Sequence, residues 1–251
     1  MRVVVVGGTG QIGTRVRERL GRSGHEAVSA SRASGVDTLT GEGLDEVLAG
    51  ADVVVDVTNS PSLAPDEVLA FFETTGRTLA AAEAAAGVQH HLVVSIVGLD
   101  GMQDSPYMRA KLAQERILES SGVPFTALRA TQFMEFTGGI LAMSTQDGVV
   151  RLPDADIQPV AADDVADALA ELAVGEPVQG PVELGGPDVL PIGELARRYL
   201  AARGEQRELV VDAQALYSGA VLERGSLCTH PGARVGAVSL EQWLASPAAR
   251  R

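Results

Sequence analysis

The sequence predicts an α/β chain, a doubly wound parallel sheet followed by a small C-terminal lobe. Three observations lead there. Short apolar runs such as Val3–Val6 and Ala51 to Val57 (ADVVVDV) recur, and such runs read as strands buried on both faces. Stretches of helical periodicity separate them, so strand and helix alternate, and right-handed crossovers place helices on both faces. The first strand breaks into Gly7-Gly8-Thr9-Gly10-Gln11-Ile12-Gly13 before a helical pattern begins.

That junction organises the chain. Strand, glycine turn and helix in this order suit a dinucleotide diphosphate. Glycines allow the tight turn and close approach of backbone to phosphate, and the helix N-terminus directs N–H groups at the anion. Glycines at 7, 10 and 13 give GxxGxxG, and GxxxxGK[ST] is absent. A tight βα turn without ligand is the plain alternative.

Residues 14 to 23 read as the first helix, with Val16 and Leu20 on one face, and Gly24 ends it. The second strand, Glu26 to Ala30, runs into Ser31-Arg32. An NAD-selective fold places a carboxylate there, on the ribose 2′-hydroxyl; a hydroxyl and a guanidinium suit a 2′-phosphate instead, which favours NADP over NAD. Gly35 to Leu39 reads as a short third strand, Leu44 to Leu48 as a helix face, and Ala51 to Val57 as a fourth strand. Val57, Thr58 and Asn59 follow at a strand's carboxyl end, where ligands bind, so they are candidate cofactor contacts or plain turn residues.

Glu67 to Ala86 reads as a helix closed by Gly87, and His91 to Val97 as a fifth strand with Ser95 near its end. His90 and His91 show no metal-ligand spacing and read as strand-edge or surface residues. Asp104 or Ser105 caps a helix carrying Tyr107, Lys111 and Glu115 at four-residue steps. Phe125 to Arg129 reads as a sixth strand, and 131 to 147 as a helix with an apolar face, either core or pocket wall. Further elements are a helix at Asp163 to Leu172, a strand at Val182 to Leu184, a helix at Ile192 to Ala202 and a strand at Glu208 to Val211. Tyr217, Cys228, His230 and Trp243 follow without a readable chemical pattern. The expected organisation is one domain, 1–251, with the small lobe mainly from 131–160 and 180–251.

Composition narrows the function. The chain has 251 residues and a net charge of −13, which disfavours nucleic acid and anionic membranes. One cysteine, Cys228, excludes an intramolecular disulfide, no metal site is expected, and no apolar run approaches a membrane span. With no signal peptide ahead of the first strand, a cytoplasmic protein is expected, as monomer or homodimer. Of 20 basic residues, Lys111 is the only lysine. A chain this averse to lysine keeps one where arginine does not serve.

Reduction of a carbonyl by hydride requires a proton donor beside the developing alkoxide. A tyrosine serves if a nearby cation lowers its pKa from about 10. Lys111, one turn from Tyr107, supplies that charge, and its compact ammonium suits ribose hydroxyls. Ser95 can orient the substrate oxygen. A solvated Lys111 and a core Tyr107 are the bland alternatives.

At these residues the chain resembles the short-chain dehydrogenase/reductase superfamily, within it the atypical NmrA-like branch of NAD(P)-binding proteins. The resemblance rests on Gly7 to Gly13, Ser31-Arg32, Gly35-Val36-Asp37, Leu92 to Ser95, Tyr107 to Lys111 with Glu115, and Leu128 to Phe133. It implies a Rossmann-type fold in which Gly7, Thr9, Gly10, Gln11, Ile12 and Gly13 hold the diphosphate. It further implies Ser31 and Arg32 at the 2′-phosphate, Asp37 and Thr38 by the adenine, and Thr131, Gln132 and Phe133 bordering the nicotinamide. Tyr107 would be the acid/base, Lys111 its partner and Ser95 the substrate-orienting group. The Asn-Asn-Ala-Gly stretch of the best-known branch is replaced by Thr58-Asn59-Ser60-Pro61. Many NmrA-like members sense or bind cofactor without known turnover. The expected function is thus an NADP-dependent oxidoreductase acting on a carbonyl or quinone-type small molecule. An NADP-sensing regulator, and an NAD(P)-dependent epimerase or dehydratase, are the alternatives.

Overall fold

The computed structural model describes residues 1–250. The chain alternates β1 (Arg2–Val6), α1 (Gln11–Arg22), β2 (Glu26–Ala30), α2 (Leu44–Leu48), β3 (Val53–Asp56), α3 (Pro65–Ala86), β4 (His90–Ile96), α4 (Pro106–Ser121) and β5 (Phe125–Ala130). It continues with α5 (Thr137–Met143), β6 (Thr145–Gln146), β7 (Val149–Leu152), β8 (Asp156–Ile157), α6 (Ala162–Ala173) and β9 (Gly180–Gly185). The last elements are β10 (Leu190–Pro191), α7 (Ile192–Arg203), β11 (Leu209–Val211), β12 (Arg234–Val235) and α8 (Leu240–Ala245). Seven strands form a parallel sheet in the order β12-β9-β5-β4-β3-β1-β2. The strand order reverses at β1, a switch point of the kind where α/β sheets bind ligands. Val6 pairs with Ala30 on one side and Asp56 on the other, so β1, β2 and β3 end level there.

The residues group into two compact units. The first comprises Met1–Ser95, Ala110–Arg129 and Val165–Val182. Its valine-rich strands bury both faces. Val4, Val6 and Val54 pack with Leu44, Leu48 and Leu79 on one side of the sheet, while Val93, Leu118, Phe125 and Ala127 form another cluster. The second unit comprises Ile96–Arg109, Ala130–Asp164 and the chain from Glu183 onward. It carries the small sheets β11-β7-β6 and β10-β8, and its helices meet where Tyr199 stacks on Trp243 at 6.4 Å.

Several expectations change. No strand forms at Gly35 to Leu39; a 3-10 turn, Arg32–Ser34, and irregular chain stand there. Turn chemistry wins because Gly35 adopts φ +79° and the Asp37 carboxylate accepts the Leu39 N–H at 2.8 Å. The first helix starts at Gln11 rather than 14, so the end of the glycine motif is already helical. The segment 131–147 is not one helix. Thr131 donates to the Leu184 carbonyl and Met134 to that of Val160, which keeps 131–133 extended before a 3-10 turn and the short α5.

His90 and His91 are buried, not surface residues, because each has a partner the sequence hides. His90 Nε2 meets Thr126 Oγ1 at 2.9 Å, and burial pulls its pKa down from 6.5 to about 4. His91 Nδ1 lies 2.8 Å from the Glu83 carboxylate. Burial opposes charging His91, yet that carboxylate raises its pKa on balance.

Candidate functional site

The glycine turn is built for close approach. Gly7 adopts φ +80°, and a Cβ there would lie 3.1 Å from the Val57 carbonyl oxygen. A Cβ on Gly13 would collide with the Gly7 carbonyl oxygen, so any larger residue would push α1 off the turn. Thr9, Gly10 and Gln11 are exposed, and Ile12 is half-buried. Helix α1 has Gly10 as its N-cap, with no side-chain cap and no acid in its first turn, while Arg19 and Arg22 occupy its last turn. First-turn N–H groups have no intrahelical acceptor, so this end is left for an anion. Backbone, missing Cβ atoms and helix charge all fit a dinucleotide diphosphate.

Beyond β2, Ser31 caps the 3-10 turn and donates its backbone N–H to Ser34 Oγ at 2.9 Å. The Arg32 guanidinium is 67% exposed and pairs with Asp37 at 3.3 Å, which brings two of the predicted adenosine-end residues together. Thr38 is half-buried beside them in sequence. Beyond β3, Val57 donates to the Val6 carbonyl at 3.0 Å. Thr58 donates its N–H to Asp56 Oδ1 at 2.9 Å, and its buried hydroxyl has no partner. Asn59 Oδ1 accepts the Ser60 N–H at 2.9 Å.

Ser95 stands next to last in β4; it is buried, and its hydroxyl also lacks a partner. Tyr107 is half-buried in the first turn of α4, where the Ser105 hydroxyl accepts the Met108 N–H at 3.4 Å. Four residues on, Lys111 is only 4% exposed. Its amine donates to Gln114 Oε1 and lies 4.5 Å from the centre of the Phe72 ring. Burial lowers its pKa from 10.5 to about 8, with Asp56 and Glu115 pulling the other way. Glu115 is held by Arg129, whose Nη2 lies 2.6 Å from Oε2. In the second unit, Thr131 is buried with an unpartnered hydroxyl. Gln132 and Phe133 beside it are fixed against Val160 by backbone hydrogen bonding and a bridge.

Two residues at this end of the first unit escape sequence reading. Gln114 Nε2 donates to Asp56 Oδ2 at 2.8 Å, and both side chains are buried. Asp56 has a faint signal, as the one charge inside the strand residues VVVD. Gln114 has none, because its partner is 58 positions away.

Fold and turn together define a dinucleotide-binding α/β protein. Residues 7–175 match the NAD(P)H-binding family. The chain belongs to that family, within the atypical, NmrA-like part of the short-chain dehydrogenase/reductase superfamily. A (4-alkanoyl-5-oxo-2,5-dihydrofuran-3-yl)methyl phosphate reductase of Streptomyces griseus is 30% identical over 230 residues, 84% of this chain and 78% of that protein. Among solved structures, MoeE5 in complex with UDP-glucose and NAD superposes with TM-score 0.73 at 20% identity, covering 99% of this chain and 97% of that one. The NADPH-dependent quinone oxidoreductase QOR2 of Escherichia coli, complexed with NADPH, gives TM-score 0.65 at 22% identity over 85% and 79%. Among the described residues no helix is long and apolar enough to cross a membrane.

Proposed function

We propose that the protein is an NADP-dependent oxidoreductase reducing a carbonyl or quinone-type small molecule, with Tyr107 as proton donor beside Lys111 and Ser95. The observation that carries this reading is the burial of the only lysine. A buried ammonium is expensive unless paired, and this chain uses arginine everywhere else. The reading is supported by the names of the relatives, a reductase of an oxo-dihydrofuran phosphate and a quinone oxidoreductase.

The cofactor's role is to supply hydride to an electrophilic carbon. The chain's residues do the rest. Gly7 to Gly13 and the first turn of α1 hold the diphosphate, Ser31 and Arg32 take the 2′-phosphate, and Asp37 and Thr38 lie by the adenine. Val57, Thr58 and Asn59 contact the cofactor, and Thr131, Gln132 and Phe133 border the nicotinamide. Lys111 as ammonium grips the ribose hydroxyls and favours ionisation of the Tyr107 phenol. Tyr107 gives its proton to the substrate oxygen as negative charge builds, while the Ser95 hydroxyl donates to the same oxygen.

A second reading, an NADP-sensing regulator without turnover, draws on the enclosed Ser95 hydroxyl. One experiment separates them: single-turnover oxidation of bound NADPH on mixing with menadione, aliphatic and aromatic aldehydes, and an alkanoyl butenolide phosphate. Tyr107→Phe is expected to slow the productive acceptor by about 100-fold or more, the scale of general acid catalysis. An equal rate removes Tyr107 from the reaction. Tight NADPH binding with no oxidation by any acceptor selects the sensor. Turnover of a nucleotide sugar with no net change in NADPH selects an epimerase or dehydratase.

A further inference from the structure

Behind Lys111 lies a buried chain of polar groups entirely within the first unit. The ammonium donates to Gln114 Oε1. The Gln114 amide donates onward to Asp56 Oδ2 at 2.8 Å, and Asp56 Oδ1 accepts the Thr58 N–H at 2.9 Å. Asp56 is 1% exposed and Gln114 also 1%. A glutamine amide accepts at its oxygen and donates at its nitrogen, and it stays neutral at every working pH. It can therefore join an ammonium to a carboxylate without adding charge to the interior. The far end of the chain is the turn 57–59, whose Val57 carbonyl faces the missing Cβ of Gly7.

We infer that Gln114 and Asp56 are positioning residues for Lys111, a carboxylate–amide–ammonium relay that fixes the amine and ties it to the turn beside the glycine motif. The inference rests on the oxidoreductase reading only for its catalytic consequence. Asp56 is placed to keep the amine charged in a site that burial makes hostile to charge. Its other neighbours are Glu115 on the same helix, which helps, and His91 on β4, which opposes it. The Phe72 ring on α3 closes one side.

A single lysine makes the test direct. Protein labelled with [13Cε]lysine gives one lysine signal, and its shift against pH reports the amine's midpoint in the intact chain. The wild-type midpoint is expected near 8. Gln114→Leu should lower it by about one pH unit, through loss of a charge-assisted hydrogen bond and of contact with the carboxylate. The exchanged pair, Asp56→Asn with Gln114→Glu, keeps the chain of donors and acceptors but puts the carboxylate directly on the amine; its midpoint should rise above the wild type. The alkaline limb of NADPH oxidation should follow these midpoints down and up. Midpoints unchanged in both variants would overturn the inference. Midpoints that move while the pH–rate profile stays fixed would uphold the relay and remove Lys111 from the chemistry. Circular dichroism and melting identify folded variants, and Gln114→Asn, which withdraws the amide by one methylene, replaces Gln114→Leu if that chain does not fold.

Discussion

The two ends of the central strands are finished by different rules. At the amino ends, charged and ring side chains keep at least one protein partner: Asp52 accepts the Arg2 N–H at 2.7 Å, His90 meets Thr126 and His91 meets Glu83, while Arg2 Nε, His25 Nδ1 and the second nitrogen of each of these two rings are buried without one. At or just past the carboxyl ends of β2, β3, β4 and β5 stand Ser29, Thr58, Ser95 and Thr131, four buried hydroxyls without a partner. A hydroxyl has a single polar atom, so these four side chains make no polar contact with the protein at all, and such exceptions call for an explanation other than folding stability. The carboxyl ends are also where this architecture binds ligands. Damage at the amino ends should therefore act on stability, and damage at the carboxyl ends on binding and turnover.

The largest effect expected is at the amino end. Glu83→Ala leaves a charged or neutral His91 without its partner, and breaking such a buried pair costs about 3–5 kcal/mol. Urea unfolding should show that loss, while the folded fraction keeps its NADPH affinity. Loss of affinity at full folding would erase the division between the ends. Next comes Arg32→Glu beyond β2. It removes a guanidinium from the expected 2′-phosphate and adds repulsion, so preference for NADPH over NADH should fall about 10- to 100-fold with melting unchanged. Equal preference in wild type and variant would take Arg32 out of cofactor selection. Ser95→Ala deletes a hydroxyl that has no bond to lose. Its stability should stay within about 1 kcal/mol of wild type, or rise, while NADPH oxidation slows.

A further effect is a slope with pH, to which two histidines contribute with opposite sign. His90 folds as the neutral ring, with its pKa at about 4 against 6.5 unfolded. The unfolded chain binds the extra proton between those values, so stability falls as pH drops from about 6.5 to about 4. His91 has the opposite sign: its raised pKa stabilises at low pH, and that gain is lost as pH rises through the folded value. Melting temperatures measured across this range should show a shallower acid decline in His90→Gln than in wild type. An unchanged decline would mean that His90 does not carry it.

What the sequence revealed follows from how local each signal is. The valines of β1 and β3 and the glycine turn are contiguous, and each was readable because the physics that builds them acts within a few residues. The sequence predicts a strand at 35–39 and none forms, because one Asp37 side chain and one positive-φ glycine outweigh its apolar residues. His90 and His91 read as strand-edge or surface residues yet are buried at the start of β4, because Thr126 and Glu83 reach them only after folding. Lys111 stands out by rarity. Its support from Gln114 and Asp56 crosses 58 positions and left no pattern to read.

The central claim is that the one buried amine serves a bound nicotinamide dinucleotide. The direct measurement is the [13Cε]lysine signal of the wild-type protein during titration with NADPH. The account predicts that this resonance moves and saturates together with cofactor fluorescence. A resonance that stays in place at full occupancy would contradict it and leave Lys111 a structural cation in a cofactor-binding fold.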